Sequence, residues 1–106
     1  MSKTLVAVKA SILHRRVRVS QHALQELEAD ELYLEEILDS ASAGELIEDY
    51  PEDRRGASCL VRVKVRETVL VHTVWGYDPG SGLAVLITAY KPDPEKWDPS
   101  FTTRRR

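Results

Sequence analysis

Residues 83–97 read LAVLITAYKPDPEKW, an apolar strand that runs into Thr88, Ala89 and Tyr90 and stops at Pro92 and Pro94. Along it Leu83, Val85, Ile87 and Ala89 share one phase of the two-residue period, and Leu86, Thr88 and Tyr90 share the other. This predicts a central strand of a sheet, with the first phase against a core and the polar end of the second phase wet. A functional site is expected at that polar end.

Working back along the chain, residues 45–50, 58–66 and 69–76 read as three more strands. Glu67 and Thr68 form a tight link, and Asp78-Pro79-Gly80-Ser81-Gly82 is a turn before the last strand. Such short links favour antiparallel neighbours, because parallel strands need long crossovers. Cys59, Val61, Val63 and Val65 form one apolar phase, and Val69, Val71, Thr73 and Trp75 another. The opposite phases collect Arg62, Lys64, Arg66, His72, Thr88 and Tyr90 on a face expected to be exposed.

Ahead of the strands, residues 3–13 carry Leu5, Val8 and Ile12 at helical spacing. Val17 and Val19 suggest a brief extended segment. Ser20 reads as the N-cap of a helix with His22 in its first turn, and Asp30 as the cap of a second helix carrying Leu34, Ile37, Leu38 and Ala41, closed by Gly44. The reading is an α+β fold, with two to three helices packed on one face of a four-stranded antiparallel sheet. Residues 1–106 make a single domain, with a short N-terminal helix at 3–13, a core at 17–90 and a proline-rich tail at 91–106. Trp97 and Phe101 are expected to pin that tail while Arg104 to Arg106 fray.

A chain of 106 residues has room for one core and can bury enough surface to fold without staples. No apolar run reaches the roughly 20 residues that span a bilayer, so no membrane association is expected. Met1 to Leu13 lacks the long apolar core of a signal peptide, and the single Cys59 agrees with a cytoplasmic location. The net charge of -2 conceals a segregation: residues 1–22 hold five bases and no acid, residues 23–53 twelve acids and no base, and residues 54–106 ten bases and five acids. Opposite potentials on different surfaces permit an anion site on a mildly acidic chain; solvated helix faces with a few ion pairs explain the same pattern.

Five stretches in order, VSQHA at 19–23, IEDYPED at 47–53, SCLVRV at 58–63, VHTVW around His72 and ITAYKPDPEKW at 87–97, resemble the bacterial domain-of-unknown-function family 4258. That family is similar in turn to the small ribonuclease toxins of the RelE/ParE and barnase-like type. The resemblance implies a RelE-like architecture, a toxin-like metal-independent endoribonuclease, RNA as substrate and a small antitoxin-like protein as partner. Glu26 stands where members often carry a basic residue.

Metal-free RNA cleavage needs a group to take the 2′-hydroxyl proton, a group to protonate the leaving oxygen, and cations around the phosphate. His72 and His22 are the candidates for proton transfer, with Tyr90 beside them, and Arg62 and Lys64 are the candidates for phosphate binding. Each has a plainer reading. His72 fits a half-exposed strand residue stacked on a neighbour, His22 a tie between helix and sheet, Tyr90 a closure of the sheet end, and Arg62 and Lys64 solvated strand positions that discourage edge pairing. Asp49, Glu52 and Asp53 read as solvating the loop around Pro51, and Cys59 as a small core residue. The three histidines and one cysteine show no metal-ligand spacing, and no cofactor motif is present. A non-catalytic protein- or RNA-binding module of the same fold is the alternative function.

Overall fold

A computed structural model describes residues 2–104. In chain order its elements are α1 (Lys3–Leu13), β1 (Val17–Val19), α2 (Gln21–Ala29), α3 (Leu34–Ser40), a 3-10 turn (Ala41–Ala43), β2 (Glu45–Tyr50), β3 (Ser58–Val65), β4 (Val69–Asp78) and β5 (Leu83–Tyr90). The α+β class is as expected, but the sheet has five strands in the order β1-β5-β4-β3-β2. Strands β2 to β5 form an antiparallel meander, and β1 adds to β5 in parallel. Val17 and Val19 do form the expected extended segment, but link lengths constrain only consecutive strands, so its pairing with distant β5 leaves no local signal.

Both N-terminal serines cap helices. Ser2 Oγ accepts from the Leu5 N–H at 3.0 Å, and Ser20 Oγ accepts from the Ala23 N–H at 3.0 Å. Asp30 is a correction: it ends α2 as its C-cap, and α3 starts after Tyr33. All three helices pack on one face of the sheet. Basic α1 lies across the middle, burying Val8 and Ile12 against β3, β4 and β5, while α2 packs on β5 and α3 on β3. The acidic pair thus covers the sheet as expected, α2 over β5 and α3 over β3, and α1 joins them across the middle. No helix among the described residues is long and apolar enough to cross a membrane.

Strands β3 and β4 present the expected apolar phases to these helices, and Cys59, Val61, Val63, Val65, Val71, Thr73 and Trp75 are buried. Each such aliphatic side chain contributes about 1.5–3 kcal/mol by leaving water. On β5 the expected phase is wrong for most of its length. Trp75 pairs with Leu86 and Val74 with Thr88, so Ile87 is an extra residue in the ladder. Ala84, Leu86 and Ala89 face the core, while Ile87 and Thr88 both turn outward. A uniform period of two breaks at that bulge.

Arg66 is a second correction. It lies in the turn between β3 and β4 with a positive φ of 51°, and its Nε meets the Glu36 carboxylate at 2.9 Å while its Nη2 donates to the Glu31 carbonyl at 2.8 Å. It ties the hairpin to the α3 region and leaves the strand face. Residues 91–104 return across the face opposite the helices, where Pro92 and Trp97 are buried. Arg104 does not fray: it bridges to Trp97, stacks its guanidinium 4.6 Å from that ring and pairs with Glu48 at 3.5 Å. Arg105 and Arg106 lie outside the described residues.

Within the core, Thr73 Oγ1 donates to the Val61 carbonyl at 2.9 Å and accepts from Trp75 Nε1 at 2.8 Å. Thr73→Val keeps the shape of the side chain but strands the buried indole N–H. A loss of about 1–3 kcal/mol is expected in urea unfolding; an unchanged midpoint at equal slope would show that the indole finds another acceptor.

Candidate functional site

The outer face of the sheet is built from rows of paired residues. Arg62, His72 and Tyr90 form one row across β3, β4 and β5, because Arg62 pairs with His72 and His72 with Tyr90. Three of the expected site residues are therefore neighbours. The row is not open, however: His72 is fully buried, against the expectation of a half-exposed residue. The Trp97 ring meets it edge-on with centroids 4.4 Å apart, the Tyr90 ring stands 5.8 Å away, and Nε2 lies 2.6 Å from the Phe101 carbonyl oxygen. A carbonyl only accepts, so Nε2 carries the proton and Nδ1 keeps a lone pair. Among the described residues that Nδ1 has no hydrogen-bond partner. The Phe101 backbone, rather than its ring, makes this contact.

Arg62 is also engaged. Nη1 donates to the Ser100 carbonyl and Nη2 to Glu45 Oε2, each at 2.7 Å. Its charge holds the tail and β2, while Lys64, next but one along β3, stays exposed without a hydrogen bond or ion pair among the described residues. Tyr90 is half-buried, and burial raises its pKa, so its phenol is a hydrogen-bond donor at neutral pH. Burial first, and the hydrogen bond to Glu48 second, push the Tyr50 phenol up to about 12. Burial likewise pushes the Cys59 thiol up to about 12, which leaves it inert.

His22 lies elsewhere, on the exposed side of α2 beyond the edge of β5. Beyond β1 that edge is closed by side chains. Ser20 Oγ donates to the Ile87 carbonyl at 2.8 Å, the Ala89 N–H donates to Glu26 Oε1 at 3.1 Å, and the Lys91 N–H donates to Asp30 Oδ2 at 2.9 Å. The Thr88 hydroxyl donates to the same Glu26 oxygen, and His22 Nε2 stands 3.2 Å from it. Three groups thus converge on one carboxylate oxygen. Glu26 is only 22% exposed while His22 is 68% exposed, so a held acid backs an imidazole that solvent reaches. The two histidines do not share a hydrogen-bonded group.

Glu26 was not among the residues singled out for chemistry. Its i, i+4 spacing from His22 was the available signal. Among the described residues no three His, Cys, Asp or Glu side chains are grouped as a metal ion requires.

Desolvation lowers the His72 pKa, with the Phe101 carbonyl opposing and Arg104 and Arg62 assisting. The folded chain therefore disfavours the proton, and stability is full above the ordinary imidazole value of about 6.5 and falls as pH drops below it. Urea midpoints are expected to decline from pH 7 to pH 5.5 in the native chain. His72→Asn, less stable at pH 7, should lose that slope; parallel profiles would mean that His72 does not carry it. Against known proteins, no curated protein and no solved structure matches the chain. Residues 19–91 match the family described as Domain of unknown function (DUF4258). That stretch runs from β1 through the end of β5 and covers well over half of the chain, which therefore belongs to this family.

Proposed function

We propose that the chain is a metal-independent endoribonuclease acting beside the capped edge of β5, with the solvent-exposed His22 as the proton acceptor. The observation that carries this reading is the single Glu26 oxygen shared by His22 Nε2, the Thr88 hydroxyl and the Ala89 N–H. A carboxylate fixed by two other donors orients an imidazole, which is the arrangement by which a base is held in one tautomer. With Nε2–H directed at Glu26, the Nδ1 lone pair faces solvent. It takes the proton of a ribose 2′-hydroxyl, the 2′ oxygen attacks phosphorus, and a 2′,3′-cyclic phosphate forms as the 5′ oxygen leaves. The leaving oxygen is protonated from water, which reaches the exposed His22. Tyr90, protonated at neutral pH, donates to a phosphate oxygen; Lys64 stands two strands away on β3, beside Ser40 and Ala43, and has no part in this reading.

In this reading His72 and Arg62 hold the tail and do not touch RNA. The resemblance to RelE/ParE and barnase-like toxins supports this reading, in which the protein works in a bacterial cytoplasm with an antitoxin-like partner covering the edge. A second reading, a non-catalytic RNA- or protein-binding module, is favoured by one observation: the cation and the histidine aligned with Tyr90 are both occupied by the tail.

The full chain incubated with RNA in EDTA is expected to yield 2′,3′-cyclic phosphate ends. His22→Ala should slow this about 10²–10⁴-fold, the usual contribution of a positioned acid or base. Glu26→Gln should fall between that variant and the native chain. Salt-dependent RNA binding without products would replace the enzyme with the binding module, and neither cleavage nor binding would remove RNA from both readings.

A further inference from the structure

The tail covers only part of the outer face. Between the loop 51–56 and β1 lies an open groove of about 380 Å³, within the range of small-ligand sites. Its floor is the row in which Ser58 pairs with Gly76 and Gly76 with Val85, joined by Ile87, which the bulge turns outward. Gly76 keeps the floor flat, since a Cβ there would meet Ile87 Cδ1 at 3.2 Å and the Ala57 carbonyl at 3.7 Å. Ile87 itself is 39% exposed, an apolar surface of the kind that aromatic rings cover.

The polar groups of the groove divide into spent and free. Asp78 is spent on its own turn, where Oδ1 accepts from the Gly80 N–H and Oδ2 from the Ser81 hydroxyl, and these bonds hold its carboxyl below the usual range. Asp53 uses Oδ1 on the Arg55 N–H, with the Arg55 guanidinium 3.8 Å away, and Oδ2 has no partner among the described residues. Ser58 is 4% exposed, and its hydroxyl, which lines the groove, makes no hydrogen bond among the described residues. Arg18, on the rim, makes no side-chain hydrogen bond or ion pair among them either, although its charge also helps to hold the Asp78 carboxyl down.

We propose that this groove seats a single nucleobase of an RNA strand, with its face on Gly76, Val85 and Ile87, its edge at Asp53 and Ser58, and its phosphate toward Arg18. A carboxylate accepts and never donates, so Asp53 selects bases with an exocyclic amino group, namely guanine, adenine and cytosine. Uracil offers carbonyl oxygens at those positions and is disfavoured. The inference rests on the RNA reading above and extends it. Ile87 and Val74 of the groove adjoin Thr88, the residue bonded to Glu26, so a base seated here lies beside the proton-transfer group.

The test is a titration of the full chain with GMP, AMP, CMP, UMP and inorganic phosphate, read as amide shifts at Ser58, Gly76 and Asp53. The three amino-bearing nucleotides should bind about tenfold more tightly than UMP. Gly76→Ala, which fills the floor, should weaken all of them. Asp53→Asn, a change in an exposed loop, should erase the discrimination against UMP. Equal binding of all nucleotides and phosphate would reduce the groove to an anion site and overturn the proposal, as would the absence of shifts at these amides. RNA cleavage without shifts in the groove would reject this inference alone. Selective nucleotide shifts in a chain that never cleaves would uphold it and remove the enzyme.

Discussion

One extra residue in the ladder between β4 and β5 sets the layout of everything on the outer face. Without the bulge at Ile87, a strand of alternating residues would send Thr88 into the core and Ala89 outward. With it, Ile87 and Thr88 emerge together while Leu86 and Ala89 both stay buried beneath the helices. Ile87 becomes the wall of the open groove, and the Thr88 hydroxyl reaches the carboxylate of Glu26. The bulge sits where β1 has run out, so the same stretch is also an exposed strand edge. Two acids of α2, Glu26 and Asp30, close that edge by accepting the N–H groups of Ala89 and Lys91. The requirement to satisfy an edge therefore places a fixed carboxylate beside His22.

The tail imposes a second division. Trp97 and the Phe101 carbonyl seal His72, and Arg62 and Arg104 lock the tail to β2 and β3 through Ser100, Glu45 and Glu48. A basic, titratable row across the sheet becomes part of an interior. Burial then works against its use as an acid or base, because the charged imidazole would have to sit in a region without a partner for Nδ1. The half of the face that the tail leaves open carries groups with unused hydrogen-bonding capacity: the Arg18 guanidinium, Asp53 Oδ2 and the Ser58 hydroxyl. Sealed and open halves meet at Thr88 and Tyr90.

Most of the meander was legible. The alternation at 58–65 and 69–75 identified the helix-facing sides of β3 and β4, since neither strand is interrupted there and each has one apolar phase, but not that Ser58, Leu60 and His72 on the other side are buried too. Ser20 announced its helix because the cap is a local interaction. Failures came where the deciding contact is distant. Asp30 looked like an N-cap and is a C-cap whose carboxylate serves Lys91, and Arg66 looked like a strand residue and is a turn residue held by Glu31 and Glu36. At the site, the alignment of Arg62, His72 and Tyr90 on one face was readable from the period of two. That the row is covered was not, because a segment of prolines and small polar residues gives no periodic sign of the surface it will lie on.

By itself the sequence determined the starts of the first two helices, the antiparallel core of the sheet, the apolar side of its two middle strands and the family to which the chain belongs. These depend on neighbours within a few residues, where hydrogen-bond geometry and side-chain alternation act directly. Only the tertiary structure decided that β1 joins β5 in parallel, that β5 changes face at Ile87, that His72 is interior, and that Glu26 gathers His22, Thr88 and Ala89 around one oxygen. Each of those joins groups far apart in the chain. They form because an unpaired strand edge and an uncovered apolar face are costly, and whichever distant segment can satisfy them does so.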